Sequence, residues 1–525
     1  MSGNYGPAPL DRYFPTQAGV LVWLGRAAAE RPQTLLWLFI LAHATWWATA
    51  GSLLQYTMTA DNFEMAAWGR EWQLGYWKHP PLPAWVLEIA IVATDRAHWM
   101  PYVLSQAFVA LTFWAVWKLA CEIVDQRRAL IAVIFLVGVS AFDYEAFRFN
   151  HNISSLPWRA LAAWSLYRGL RGGRMADWLL LGVWMAIGML GKYDILFLLV
   201  PLGILALVHP ATRRFVTTPG PYAAVALSLV LLAPHLVWRF EHGLAGAIDA
   251  PQGRMSGDGS FLGHIRFPAE FIANVAFMIL PAIVIAAVLR GRWRAPPASL
   301  RPDSFARWFV AIAALAPVGV AVATSAVTGL RLPEAWAVPM LDFVGLFIVV
   351  FIAGDIDEMA VRRFFATAIV ATVAVLAGTT WHSFVVEPFF LRSPGSSRMP
   401  GQELADVLTE RWRAATNGAP LRYVVGAPDH AGRLAYYAPT RPSLFEDADP
   451  TRSPWIDRND LERQGALAVW AMSDMSANPP GWFAKLARAE VQPPVTFQAY
   501  NWGPVRTAIY GWAIVPPAQA AGTAR

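Results

Sequence analysis

Eleven long apolar runs dominate this chain, and threading them through a bilayer leaves every cluster of arginines on one side. The runs lie near 33–54, 101–124, 128–145, 153–170, 175–190, 193–208, 219–238, 268–289, 306–327, 333–354 and 362–384. About 20 apolar residues cross roughly 30 Å of hydrocarbon, so the shorter runs have soft limits. With the N-terminus inside, the inner loops hold Arg127 and Arg128; Arg168, Arg171 and Arg174; Arg213 and Arg214; Arg290, Arg292 and Arg294; and Arg362 and Arg363. Five successive loops thus follow the positive-inside rule. Only 15% of residues are charged, against about 25% in soluble globular proteins. The net charge of +6 reads as topology signal and contact with lipid headgroups, not as nucleic-acid binding. The single cysteine, Cys121, offers neither an internal disulfide nor a thiolate cluster. Residues 1–32 read as a polar cytoplasmic segment without a cleavable signal peptide.

Residues 82–95 are apolar but short for a span. Counting them as a crossing would move the later arginine clusters outside, so they read as a re-entrant or interfacial helix, with a twelfth crossing as the alternative. Residues 33–384 form the membrane domain, and 55–100 is its first outer loop. From 385 to 525 Pro, Gly, Asp and Arg rise and no run is long enough to span. Strand-like LRYVVGA, ALAVWAM and AIYGWAIV alternate with helical GQELADVLTERWRAA and NPPGWFAKLARA, which predicts a soluble α/β or α+β domain on the outer side.

The first outer loop carries DNFEMAAWGREWQLGYWKHPPLPAW over residues 61–85. Asp61 to Leu74 has helical composition with Asp61 as N-cap. Met65, Trp68 and Trp72 make an apolar stripe suited to a helix lying in the membrane interface. Pro80 and Pro81 end the helix and set an extended turn. An ordinary capped amphipathic loop would have the same composition.

The order Asp61, Arg70, Glu71, Pro80 and Trp85 resembles the first periplasmic loop of the family that contains lipid A aminoarabinose transferases and protein O-mannosyltransferases. These are polyprenyl-phosphate-sugar-dependent transferases of the GT-C fold. The resemblance covers residues 33 to about 345 and implies a polytopic α-helical membrane protein with about 11–13 transmembrane helices and a soluble C-terminal periplasmic domain. It places the catalytic base on Asp61 and makes Glu64 and Arg70 candidate binding residues. Family members often read Asp-Glu at the start of the loop and Glu-Lys before the proline. Here those places are Asp61-Asn62 and Lys78-His79, so the contact to the donor phosphate is expected from Lys78 and His79 together.

The second outer loop, DYEAFRFNHN, offers Asp143, Glu145, His151 and Asn152. The family's acidic position near its end falls on Asn152, and Asp143 and Glu145 are nearby substitutes. Asn150 or Asn152 is also a natural cap for the next helix. In the third turn, Lys192 stands between two apolar runs, where a charge is costly unless it snorkels or serves a site. The resemblance puts Lys192 at the donor phosphate, with Tyr193 and Asp194 beside it. The fourth loop, 239–264, is Gly-rich in its middle. In the fifth, Arg331 and Trp336 precede Pro339, and Arg331 is placed for bidentate phosphate contact.

Transfer from a polyprenyl-phosphate sugar needs a base for the acceptor's proton and cations for the leaving phosphate. The family implies inversion at the anomeric carbon. The expected partners are the lipid-linked donor, membrane lipids, and an envelope glycan, lipid or protein acceptor. No cofactor is expected, and the sequence has no HxxH, DxD or cysteine cluster that argues for a metal. The implied location is the bacterial inner membrane with the site facing the periplasm. The competing readings are a transporter of lipid-linked saccharides and a non-catalytic scaffold that binds them. Mid-membrane charges and paired halves, the transporter's signs, are scarce here.

Overall fold

The computed structural model describes residues 17–243, 255–290, 298–391, 395–476, 478–500, 503–504 and 507–518. Residues 1–16, Arg292 and Arg294, and the middle of the fourth outer loop lie outside the described residues.

The membrane-domain helices are α1 (Gln17–Glu30), α2 (Pro32–Leu54), α3 (Ala60–Glu71), α4 (Leu82–Thr94), α5 (Met100–Cys121), α6 (Gln126–Ile134), α7 (His151–Gly172), α8 (Met175–Gly191), α9 (Leu196–Val208), α10 (Pro219–His242), α11 (Gly263–Met278), α12 (Leu280–Arg290), α13 (Ser304–Thr328), α14 (Val344–Phe351) and α15 (Glu358–Trp381). Among the described residues four helices are long and apolar enough to cross a membrane, or six if each of two bent pairs counts as one span. α2 and α7, at 23 and 22 residues, have the length but interrupt their apolar runs with polar side chains such as His43 and Arg159. The eleven-run count is therefore too regular. Run 128–145 is the nine-residue α6 followed by two short 3₁₀ turns. It breaks where Gly138 meets the start of α12: a Cβ there would lie 2.4 Å from the Ala282 nitrogen. Runs 268–289 and 333–354 bend by 59° and 60°. Among the described residues of the N-terminal segment, Gln17–Glu30 form α1, which packs at Gly25 beside Arg362.

The arginine-bearing ends gather at one end of the bundle. Arg168 pairs with Asp177 at 2.9 Å, Arg171 pairs with Asp303, and Arg128 donates to the Gly354 carbonyl. The first outer loop and the C-terminal domain meet at the other end, where Arg96 donates to the Tyr436 carbonyl.

The last apolar helix continues in wider π-type turns over His382–Phe390, and the globular part begins near Ser396 rather than at 385. It contains α16 (Gly401–Ala415), α17 (Arg433–Tyr437) and α18 (Arg458–Gln464), packed with five strands: β1 (Tyr423–Gly426), β2 (Ser443–Glu446), β3 (Ala466–Met472), β4 (Glu490–Gln498) and β5 (Thr507–Val515). The sheet order is β2-β1-β3-β5-β4, parallel through β2, β1 and β3 and antiparallel through β5 and β4. The stretch NPPGWFAKLARA forms only a 3₁₀ turn, Gly481–Lys485. Strand β4 contains Pro493 and Pro494 and reads poorly as a strand. It is tolerated at the sheet edge with a bulge between Gln492 and Val495.

Helix α3 is clasped between the two domains. Phe63 lies under the buried Arg433 guanidinium at 4.5 Å and against Tyr436 and Tyr437. Arg433 is held by Thr57, Asp429 and the Ser396 carbonyl. Arg441 grips Glu88 of α4 with two bonds of 2.9 and 2.7 Å. The stripe Met65 and Trp68 is thus fully buried in protein, and only Trp72 of the three is exposed. α3 is not a surface helix floating at the headgroups.

Candidate active site

Thr59, not Asp61, occupies the N-cap of α3, and Asp61 sits exposed in the first turn. Helical spacing puts Asp61, Glu64 and Trp68 on one face and Phe63, Ala67 and Arg70 on the face toward the C-terminal domain. Below Glu64, the chain turns at Tyr76–His79, closed by Tyr76 N donating to the His79 carbonyl at 3.0 Å. This turn brings Lys78 Nζ to 2.7 Å from Glu64 Oε1, with the ammonium 5.6 Å over the Trp68 ring. His79 stacks on His151 at 3.9 Å, and both edge toward Trp68 at 6.2 Å.

His151 opens α7. Asn150 is its cap, accepting from the Asn152 and Ile153 amides, which leaves the Asn152 side chain for other work. Its Oδ1 accepts from Lys192 Nζ at 2.6 Å, and its Nδ2 donates to the Ala335 carbonyl at 3.1 Å. Two turns further along α7, fully buried Arg159 repeats the pattern. Nε donates to Asp342 Oδ2 at 3.0 Å and Nη1 to the Asp194 carbonyl at 3.1 Å. Asn152 and Arg159 are thus two rungs that tie the 192–194 turn and the 335–342 segment to one helix.

Beside Lys192, the Tyr193 hydroxyl meets His235 Nε2 at 2.8 Å, and His235 Nδ1 meets the Leu74 carbonyl at 2.7 Å. The carbonyl requires Nδ1–H, so in a neutral ring Nε2 accepts from Tyr193. Arg239 donates to Tyr193 Oη and, at 3.1 Å, to the Trp77 carbonyl. Its Nη2 is buried without a hydrogen-bond partner among the described residues. Six of the expected residues, Glu64, Lys78, His79, His151, Asn152 and Lys192, are therefore joined in one chain of contacts, and Tyr193 extends it.

The other expected residues lie elsewhere. Arg70 faces the C-terminal domain, where burial lowers its pKa against the opposing charge of Glu71. Asp143 accepts from the Tyr144 amide and Glu145 pairs with Arg148 at 3.7 Å, both local contacts. Arg331 is more than half exposed and pairs with Glu270 at 3.5 Å. Trp336 packs in a separate apolar cluster with Phe271 and Met340, although its neighbour Ala335 reaches Asn152.

The family model for dolichyl-phosphate-mannose-protein mannosyltransferase matches residues 78–238, the stretch that carries Lys78, His79, His151, Asn152 and Lys192. Two lipopolysaccharide core galacturonosyltransferases of Rhizobium johnstonii are similar in sequence. RgtA is 26% identical over 299 residues, covering 55% of this chain and 58% of the relative. RgtB is 23% identical over 454 residues, covering 83% and 87%. In three dimensions the chain is similar to ArnT from Cupriavidus metallidurans bound to undecaprenyl phosphate, with a TM-score of 0.57 at 14% identity over 91% of this chain and 98% of that one. The chain has the GT-C fold.

Within this fold, sequence reading missed Arg159, His235, Arg239 and Glu446. Arg159 and His235 lie inside apolar runs, where a polar residue was the available signal, and Arg239 opens the fourth outer loop. Glu446 ends β2 of the C-terminal domain, yet its Oε2 accepts from Trp77 Nε1 at 3.2 Å beside Lys78. Nothing in its local sequence points to the first loop, 369 residues away.

Proposed function

We propose that this chain is an inverting glycosyltransferase that moves a sugar from a polyprenyl-phosphate donor to the lipopolysaccharide core at the periplasmic face of the inner membrane. The observation that carries the reading is the basic network of Lys78, His79, His151, Asn152 and Lys192, drawn from three separate loops onto the α3 face that also bears Asp61. In this reading Lys192, Lys78 and Arg239 neutralise the leaving phosphate, and no metal ion or cofactor is assigned. The acceptor oxygen attacks the anomeric carbon, the carbon–oxygen bond to phosphate breaks, and Asp61 takes the acceptor's proton. Arg331, engaged by Glu270, is left at the margin.

Similarity to two lipopolysaccharide core galacturonosyltransferases makes a polyprenyl-phosphate galacturonic acid the first donor to test. Purified protein in liposomes, given that donor and a lipopolysaccharide core acceptor, should yield a glycosylated core with inverted anomeric configuration by NMR. Donor that changes leaflets without any transfer would favour the transporter reading instead.

A further inference from the structure

The C-terminal domain sends one acidic side chain into the first loop. Glu446 is 3% exposed. Its Oε2 accepts from Trp77 Nε1 at 3.2 Å, and its Oε1 lies 3.6 Å from Arg452 Nη1. The Trp77 ring carries two cations, Arg452 at 4.7 Å and Lys78 at 5.4 Å from its centroid. Lys78 in turn pairs with Glu64. The turn that holds Glu446 is unusual. Asp447 and Ala448 are consecutive non-glycine residues with φ of 49° and 51°, in the left-handed region. The Ser453 hydroxyl accepts from the Glu446 amide at 2.9 Å, and the Glu446 carbonyl accepts from the Asp449 amide at 2.9 Å. Such backbone costs energy and persists where surrounding contacts over-determine it.

We propose that Glu446 is a positioning residue of the active site, acting through Lys78: the C-terminal domain sets how firmly the Lys78 ammonium is held. This rests on the reading of Lys78 as a contact to the donor phosphate. The charged groups that face Glu446 are Glu64, Lys78, Arg452 and Asp447. Burial first, and then the Glu64 charge, push its carboxyl well above the ordinary range, while Lys78 and Arg452 oppose the shift. Near neutral pH Glu446 therefore keeps its proton, still accepts from Trp77, and leaves Lys78 facing one carboxylate. As pH rises through about 8, a second carboxylate ionises beside Lys78. The ammonium is then held by two anions, and a phosphate must compete with both.

The test uses the full-length protein and Glu446→Gln, which is neutral at every pH. Undecaprenyl phosphate is titrated at pH 7 and pH 9, and the amine-labelling rate of Lys78 is read by mass spectrometry at the same two values. Wild-type affinity should weaken about 10-fold between them, the factor of one pKa unit, and Glu446→Gln should lose most of that change. At pH 9 Lys78 should label about 3- to 10-fold faster in Glu446→Gln than in wild type, because its ammonium is less stabilised. Arg452→Met keeps the carboxyl and removes an opposing cation, so it should move the transition to higher pH. It also keeps the idea testable if Glu446→Gln folds poorly. Equal labelling in wild type and Glu446→Gln, with no displacement in Arg452→Met, would overturn the inference. Altered labelling without undecaprenyl phosphate binding at either pH would uphold Glu446 as the group that positions Lys78 while removing Lys78 from the donor site.

Discussion

Arg159 Nε donates to Asp342 Oδ2 at 3.0 Å, and neither side chain has any solvent exposure. The same guanidinium holds the Asp194 carbonyl, two residues beyond Lys192. One cation therefore braces the turn that presents Lys192 and the segment that presents the Ala335 carbonyl to Asn152. Arg159 Nη1 also lies 3.5 Å from Asp194 Oδ2, so Arg159→Met should leave the Asp342 and Asp194 carboxylates without their cation and cost about 3–5 kcal/mol, the scale for breaking a buried pair. Adding Asp342→Asn should recover part of that loss. Arg159→Lys keeps the charge but not the fork, so it should weaken undecaprenyl phosphate binding more than it lowers the melting temperature. Equal stability of Arg159→Met and wild type by thermal unfolding would remove the brace.

Lys192 and Arg331 looked equivalent as phosphate ligands, and the structure separates them. Lys192 is bonded to Asn152 inside the network. Arg331 is 57% exposed beside Glu270. Lys192→Ala should cost about 1.5–3 kcal/mol of donor binding, a charged hydrogen bond, or roughly 10- to 100-fold in affinity. Arg331→Ala should change affinity less than about 5-fold, as for an exposed ion pair. Isothermal titration with undecaprenyl phosphate compares the two, and the reverse order would return Arg331 to the pocket.

That contrast shows what the sequence made legible. Period was enough for helices at α3 and α4, and the family resemblance pointed to six residues that the structure joins in the network, because loops at one end of a bundle must lie near one another. The pairing of Arg331 with Glu270 was hidden because a loop position does not say which neighbour takes its charge. The break of run 128–145 was hidden because its cause is the backbone of α12 against Gly138. Glu446 was hidden because its partner is a tryptophan in another domain.

Domain docking should depend on pH. The Glu446 carboxyl is raised from 4.5 to about 8, chiefly by burial. Glu71, also at the interface with the C-terminal domain, is raised by burial against the Ser443 hydroxyl and Arg70. A raised carboxyl binds more protons in the folded state, so its stabilisation is complete below the unfolded pKa and is lost as pH rises through the folded one. The melting temperature should fall between pH 5 and 8, and Glu446→Gln should flatten that fall. A wild-type melting temperature that rises over the same window would contradict the burial of both groups.

The site is proposed to face the periplasm. Ser476 is exposed on the C-terminal domain. In a Cys121→Ser background, Ser476→Cys should react with a membrane-impermeant maleimide in cells whose outer membrane alone is permeabilised. Labelling only after the inner membrane is opened would invert the topology and move the network to the cytoplasm.

The base assignment rests on Asp61. It lies exposed in the first turn of α3, three residues before Glu64 on the same face, so a carboxylate there is open to an acceptor hydroxyl above the basic network. Thr59 holds the N-cap position and Asp61 lies inside the first turn, where its side chain is exposed. Asp61→Asn keeps the shape and removes proton acceptance. Transfer should fall by about 100-fold or more, as for loss of a general base, with undecaprenyl phosphate affinity changed less than about 3-fold, since Asp61 makes no phosphate contact in this reading. Near-full transfer by Asp61→Asn would pass the assignment to Glu64, whose carboxylate already touches Lys78. A matching loss of donor affinity would mean that Asp61 shapes the phosphate pocket instead of accepting the proton.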